Sequence, residues 1–173
     1  MLTILAAFLL AAPAVDPMIP IRAGKLRCGL PDVARKTCRT LTRYAVRPDG
    51  KLDVFVRGLP GDDGLSVTYH TTGAIENGGP CITITDGDVA AAAFDKSGVK
   101  LTGAALDRAR EGMRAALARL LNRKSCSRDQ GIDGVFNAEG YLGDERFPAL
   151  DKQVMWVDPD AGYTLGPMPA DVA

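Results

Sequence analysis

The sequence predicts an α+β domain, an antiparallel sheet of about five to seven strands packed on one amphipathic helix and braced by two disulfides. Three observations carry this. Polar and apolar residues alternate with a period of two through residues 38–57, 65–72 and 152–157. One segment, residues 103–123, carries an apolar stripe at spacings of three and four. Four cysteines, Cys28, Cys38, Cys81 and Cys126, follow an export signal.

The export signal is the opening "MLTILAAFLLAAPAVDP". Its apolar run, Leu2 to Ala12, is about half the length a membrane-spanning helix needs and ends in Ala12-Pro13-Ala14, the small residues a signal peptidase reads. Residues 1–14 are read as a signal peptide cleaved after Ala14, in a bacterial style, and residues 15–173 as a single domain, periplasmic or secreted. No later stretch is apolar and long enough to span a membrane. A domain of this length buries roughly 70% of its unfolded surface and needs no metal to stand.

An even cysteine count behind an export signal reads as a disulfide framework. Three pairings are open; Cys28–Cys38 with Cys81–Cys126 is favoured, because the first two lie close in sequence. Zinc is disfavoured, since there is no CxxC pair and His70 is the only histidine.

Taken in order, Leu30 to Lys36 reads as one helical turn, with Pro31 at a first helical position. A hairpin follows over about 38–57. Thr40, Thr42, Tyr44 and Val46 share one face of its first strand, and Leu52, Val54 and Val56 face inward on its second. Between them "RPDGK" is turn chemistry, Pro48 fixing φ and Gly50 accepting a positive one. The loop "GLPGDDG" leads to "LSVTYHTT", with Leu65, Val67 and Tyr69 on one face, and then to a fourth strand at "CITIT". "VAAAAFDKSGVKLT" reads as strands at 89–94 and 99–101 around a "DKSG" turn. A helix is expected from Gly103 to Arg123, N-capped by Thr102, with Leu106, Ala109, Met113, Leu117 and Leu120 on its apolar stripe. "KQVMWV", residues 152–157, is the last strand, and its Trp156 belongs to the edge of the core.

The formal net charge is zero but unevenly spread. Basic segments at 22–47 and 108–128 alternate with acidic ones at 48–107 and 129–173. The plain reading is that these segments face one another within the fold. The sharper one is a polyanion-binding face of Arg108, Arg114, Arg119 and Arg123, directed at an anionic envelope component. Arginines near a helix C-terminus also suit the helix dipole, which weakens that case. Nucleic acid is excluded as a partner for an exported, near-neutral chain without interleaved aromatics.

Catalytic signals are sparse. "DQGIDGVFNAEG", residues 129–140, half-matches a calcium loop. With Gly134 at the sixth position, Asp129 and Asp133 fall on ligand positions. Gly131 and Gly140 occupy two others, and Glu139 comes one residue early, so the bidentate acid is missing. The segment reads better as turns at Asp133-Gly134 and Glu139-Gly140; Asp158 and Asp160 form a second weak acidic pair. Ser97-x-x-Lys100 resembles a serine–lysine pair in spacing only, since Ser97 falls in a turn. His70 has no acid on its own strand face to orient it. There is no cofactor fingerprint. The expected function is therefore a non-enzymatic exported binding or envelope-accessory protein, with an unknown protein or anionic envelope component as partner. The alternatives are a protease or hydrolase inhibitor presenting the Gly58–Gly64 loop, and a small hydrolase using His70.

Overall fold

The computed structural model describes residues 16–76 and 78–167, so the signal peptide assigned to residues 1–14 lies outside the described residues. The elements are α1 (Met18–Arg22), β1 (Leu26–Asp32), β2 (Thr37–Val46), β3 (Leu52–Gly58), β4 (Leu65–Glu76), β5 (Gly79–Thr83), α2 (Asp86–Ala91), β6 (Ala93–Lys96), β7 (Val99–Lys100) and α3 (Gly103–Ala116). They continue with β8 (Lys124–Asp129), β9 (Phe136–Leu142), β10 (Glu145–Arg146), a 3-10 turn at Pro148–Leu150, β11 (Lys152–Val157) and β12 (Thr164–Leu165).

Eight of these strands close into a barrel, each antiparallel to both neighbours. The ring runs β1-β2-β3-β4-β5-β8-β9-β11 and returns to β1 through Arg27 opposite Trp156 and Gly29 opposite Val154. Four short strands lie outside the ring: β6 and β7 extend β4, β10 pairs with β9, and β12 runs parallel to β2. This corrects the α+β expectation. The eight-strand ring has no free edge, and the helices are short additions to a mostly β fold. The physical reason for the misreading lies in β1, β8 and β9. In β1 and β8 the inward residues are Arg27, Gly29, Ser125, Ser127 and Asp129, so no apolar alternation marks them as strands, and in β9 the small Ala138 and Gly140 weaken the alternation between inward Phe136 and Leu142.

The expected hairpin is β2–β3, with Gly50 at φ +79° in its turn and Leu52, Val54 and Val56 buried in the barrel. The floor is sealed by α1, whose Ile21 and Met18 pack with Leu52, Trp156, Ile75 and Phe136. Trp156 tilts against Tyr44 with ring centroids 5.9 Å apart, so its place in the core is as expected. Over β3 and β4 the outward residues are Asp53, Phe55, Arg57, Thr68, His70 and Thr72. Polar groups thus dominate outside and apolar ones inside, the reverse of a lipid-facing barrel wall. Among the described residues no helix is long and apolar enough to cross a membrane.

Both favoured disulfides are formed. Cys28–Cys38 joins β1 to β2 with Cα atoms 5.3 Å apart, and Cys81–Cys126 joins β5 to β8 at 4.0 Å. Such bridges are consistent with an oxidising compartment. The first lies outside the barrel with Leu41 and Val157, under a C-terminal strap carrying Tyr163 and Leu165. The second closes the base of an insert, α2 to α3, that leaves the ring between β5 and β8.

Local expectations were corrected at four places. Residues 30–36 are not a helical turn; β1 runs to Asp32 and a tight loop, with Arg35 N donating to Asp32 Oδ1 at 3.0 Å, leads into β2. Pairing of Pro31 and Asp32 with Cys38 and Thr37 of β2 overrides the local helical signal. Residues 86–91, the start of the expected strand at 89–94, are helical. Thr85 and Asp88 form a reciprocal capping box there, while the Ser97-Gly98 turn between β6 and β7 is as expected. The helix α3 begins at Gly103 but stops at Ala116, and Thr102 makes no side-chain cap. The chain then folds inward at Leu117 and Leu120, and Asn122 N donates to Ile84 O at 2.8 Å, which brings Lys124 beside Thr83. Glu139-Gly140 is not a turn but part of β9. Glycine is required there because a Cβ would lie 2.2 Å from Leu150 Cβ, where the 3-10 turn packs on the strand.

Candidate functional site

The strands missed from sequence build one polar wall inside the barrel. Arg27 reaches across from β1 to β8 and grips Asp129 with two bonds, Nη2 to Oδ1 at 2.6 Å and Nε to Oδ2 at 3.2 Å. Nη2 also donates to Ser127 Oγ at 3.1 Å. The two side chains are 7% and 1% exposed, so this is a buried, bidentate ion pair. Tyr44 lies beside it, and burial pushes its phenol pKa up.

Above the pair is a cavity of about 210 Å³, walled by Arg27, Thr40, Thr42, Tyr44, Ser127 and Lys152 on its polar side and roofed by Leu117, Leu120 and Leu150. A second hollow of about 410 Å³ opens between the barrel and α3. Its lining is apolar: Val56, Leu59, Leu65, Val67, Phe94 and Met113, with Gly112 of α3 and Arg108 at its border. The two share Thr40, Val56, Tyr69 and Leu117 as common walls. The two adjoin, one apolar and one polar-sided, and the larger is in the size range of small-molecule sites. The residues of the α3 stripe serve both: Leu106, Ala109 and Met113 pack on Val67, Ala92 and Phe94, while Leu117 and Leu120 roof the interior.

Lys152 opens β11 and lays its stem over Gly29, where a Cβ would come within 3.8 Å of its Cδ and 2.4 Å of Thr40 Oγ1. The residue is half-buried, and its ammonium, which is not sealed from water, makes no hydrogen bond or ion pair with the other described residues. Burial pushes its pKa down to about 8, the positive Arg27 adding to the effect and Asp129 opposing it. Below that pH the folded protein carries a charge it would shed in an apolar setting. Between about 8 and the ordinary lysine value the unfolded chain binds the proton that the folded one has lost, so stability rises with pH through this window. Lys152→Met is therefore expected to stabilise the protein at pH 7 by about 2 kcal/mol, the full penalty being softened by partial access to the cavity. Urea denaturation of both proteins at pH 7 and pH 10 checks this. The wild type should recover most of its deficit relative to the variant at the higher pH, and an identical difference at both pH values would refute the assignment.

The arginines singled out from sequence do not converge. Arg114 pairs with Asp86, Nε to Oδ1 at 3.1 Å, and Arg119 lies over the Phe147 ring at 5.3 Å. Arg108 borders the apolar hollow, and Arg123 is exposed in the turn before β8. The charged segments instead meet pairwise, as Arg39–Asp62, Arg114–Asp86, Lys124–Glu76 and Arg27–Asp129. His70 does find an acid, Asp53 on the neighbouring strand, Nε2 to Oδ1 at 3.2 Å, on the outer face of the barrel and away from the cavity. Asp129, the first residue of the half-matched calcium loop, is committed to Arg27. The inner residues Arg27, Tyr44, Ser127, Asp129 and Lys152 were not singled out from sequence. The available signal was the period-two polar run Ser125, Ser127, Asp129 in β8.

No protein-family model matches this chain, and no similarity to a curated protein or to a solved structure is found.

Proposed function

We propose that this protein is a non-enzymatic, exported binding protein whose barrel holds one small, predominantly apolar molecule. The observation that carries the reading is the apolar hollow of about 410 Å³ between α3 and the barrel, sharing walls with the polar interior. The ion pair supports a binding role over a catalytic one, because Arg27 and Asp129 are spent on each other. The loop after β3 supports ligand binding over protease inhibition. Leu59 and Pro60 turn toward the hollow, and Asp62 and Asp63 are held by Arg39 and Lys96. The disulfides support an oxidising compartment.

The test is titration with the neutral fluorescent probe N-phenyl-1-naphthylamine. The wild type should bind one equivalent with enhanced emission. Gly112→Phe should weaken that binding at least tenfold while leaving the protein folded. Position 112 lines the hollow, a Cβ there meets nothing within 4 Å, and replacing a mid-helix glycine removes a helix-weakening residue. No probe binding, or equal binding by Gly112→Phe, would overturn the proposal.

A further inference from the structure

We infer that the molecule held in the barrel is an amphiphile with a single negative charge on its head group, and that Lys152 receives that charge. The inference rests on the ligand-binding reading above and adds the chemical class of the ligand. The inner wall carries two cations, Arg27 and Lys152, against one anion, Asp129. Arg27 commits Nε and Nη2 to Asp129 and Ser127. That leaves the half-buried Lys152 ammonium on the polar side of the cavity with no hydrogen-bond or ion-pair partner among the described residues. A partly buried charge without a partner pays part of its desolvation cost, and a group that supplies the opposite charge recovers it. One surplus positive charge matches a monoanion and leaves half of a phosphate dianion uncompensated. The apolar hollow around Val67, Phe94 and Met113 fits the remaining hydrocarbon body.

The charged and titratable groups facing Lys152 from the interior are Arg27 from β1 and Asp129 from β8, with the phenols of Tyr44 from β2 and Tyr69 from β4 lining the same cavity; on its other side Glu139, Arg146 and Asp151 share a further hollow with it, the two carboxylates paired to Arg146. Burial raises both phenols, so they stay neutral over the range in which Lys152 titrates. Affinity for an anionic head should therefore fall between pH 7 and pH 9, following loss of the Lys152 proton at about 8.

The experiment is displacement of N-phenyl-1-naphthylamine by decanoate, decyl sulfate and decan-1-ol from wild type, Lys152→Met and Lys152→Arg. In wild type at pH 7 at least one of the two anions should bind about 10- to 100-fold tighter than the alcohol, the range of a charged hydrogen bond. The tighter of the two tells a carboxylate head from a sulfate ester. Lys152→Met should erase the preference without weakening the alcohol, Lys152→Arg should keep it, and the wild-type preference should shrink about fivefold or more at pH 9. The inference is overturned if the alcohol matches both anions in wild type, or if Lys152→Met retains the preference. Failure of the probe and all three ligands to bind would instead overturn the binding reading itself.

Discussion

Asp129→Ala should lower the melting temperature by about 10–15 °C, a loss of about 3–5 kcal/mol. The carboxylate accepts both Arg27 bonds in a site where neither side chain reaches water. Removing it strands a guanidinium that cannot deprotonate and has only Ser127 left as a partner. The damage is the desolvation of that orphaned charge more than the lost attraction. A second variant separates the two. Arg27→Met combined with Asp129→Leu removes both charges from an interior that already holds Val54, Val56 and Ile82, and should be within about 1–2 kcal/mol of wild type. Urea denaturation of the single and double variants measures the coupling. An Asp129→Ala loss below about 1 kcal/mol would mean that the pair is open to water and the polar wall misplaced.

Replacing Cys81 and Cys126 together by alanine should cost about 4 kcal/mol, against about 2.8 for Cys28 and Cys38. The chain-entropy difference follows from sequence separations of 45 and 10. Position adds to it. The β5–β8 seam is only three residue pairs long, Cys81–Cys126, Ile82–Ser125 and Thr83–Lys124, and it is where the ring resumes after the insert. The β1–β2 seam has five pairs and the strap of Tyr163 and Leu165 over its bridge. Loss of the longer link should therefore loosen the insert, and with it the α3 wall of the apolar hollow, so probe binding should weaken along with stability. Denaturant midpoints of the two double variants give the ranking. Equal losses, or a larger one for the shorter loop, would contradict the role assigned to the seam.

The parts of the fold legible in the sequence are those where one side of a strand is apolar. The strands β2, β3, β4 and β11 alternate plainly, and the turn at Pro48–Gly50 fixes the first hairpin. The disulfide pairing was also legible, because proximity of Cys28 and Cys38 leaves one partner for the rest. The strands β1 and β8 were not, since they turn Arg27, Gly29, Ser127 and Asp129 toward the interior, and β9 was masked by the small Ala138 and Gly140 between its inward Phe136 and Leu142. These are the strands that close the ring, so missing them made a barrel look like an open sheet. The same residues form the polar wall, and the candidate site was hidden for that same reason. The end of α3 is a tertiary event, set by the return of the chain to β5, and no local stop marks it. By contrast, the capping box at Thr85 and Asp88 was present in the sequence and outweighs the β-like run that follows it.

Closure of the ring is what brings Arg27, Asp129 and Lys152 into one interior, and it rests on the pairing of β1 with β11. Nuclear Overhauser contacts in labelled, oxidised protein test it most directly. Cross-strand contacts of Arg27 with Trp156 and of Gly29 with Val154 are expected, with slow amide exchange along both strands. Absence of those contacts, with fast-exchanging edge amides on β1 and β11, would show an open sheet and contradict the barrel.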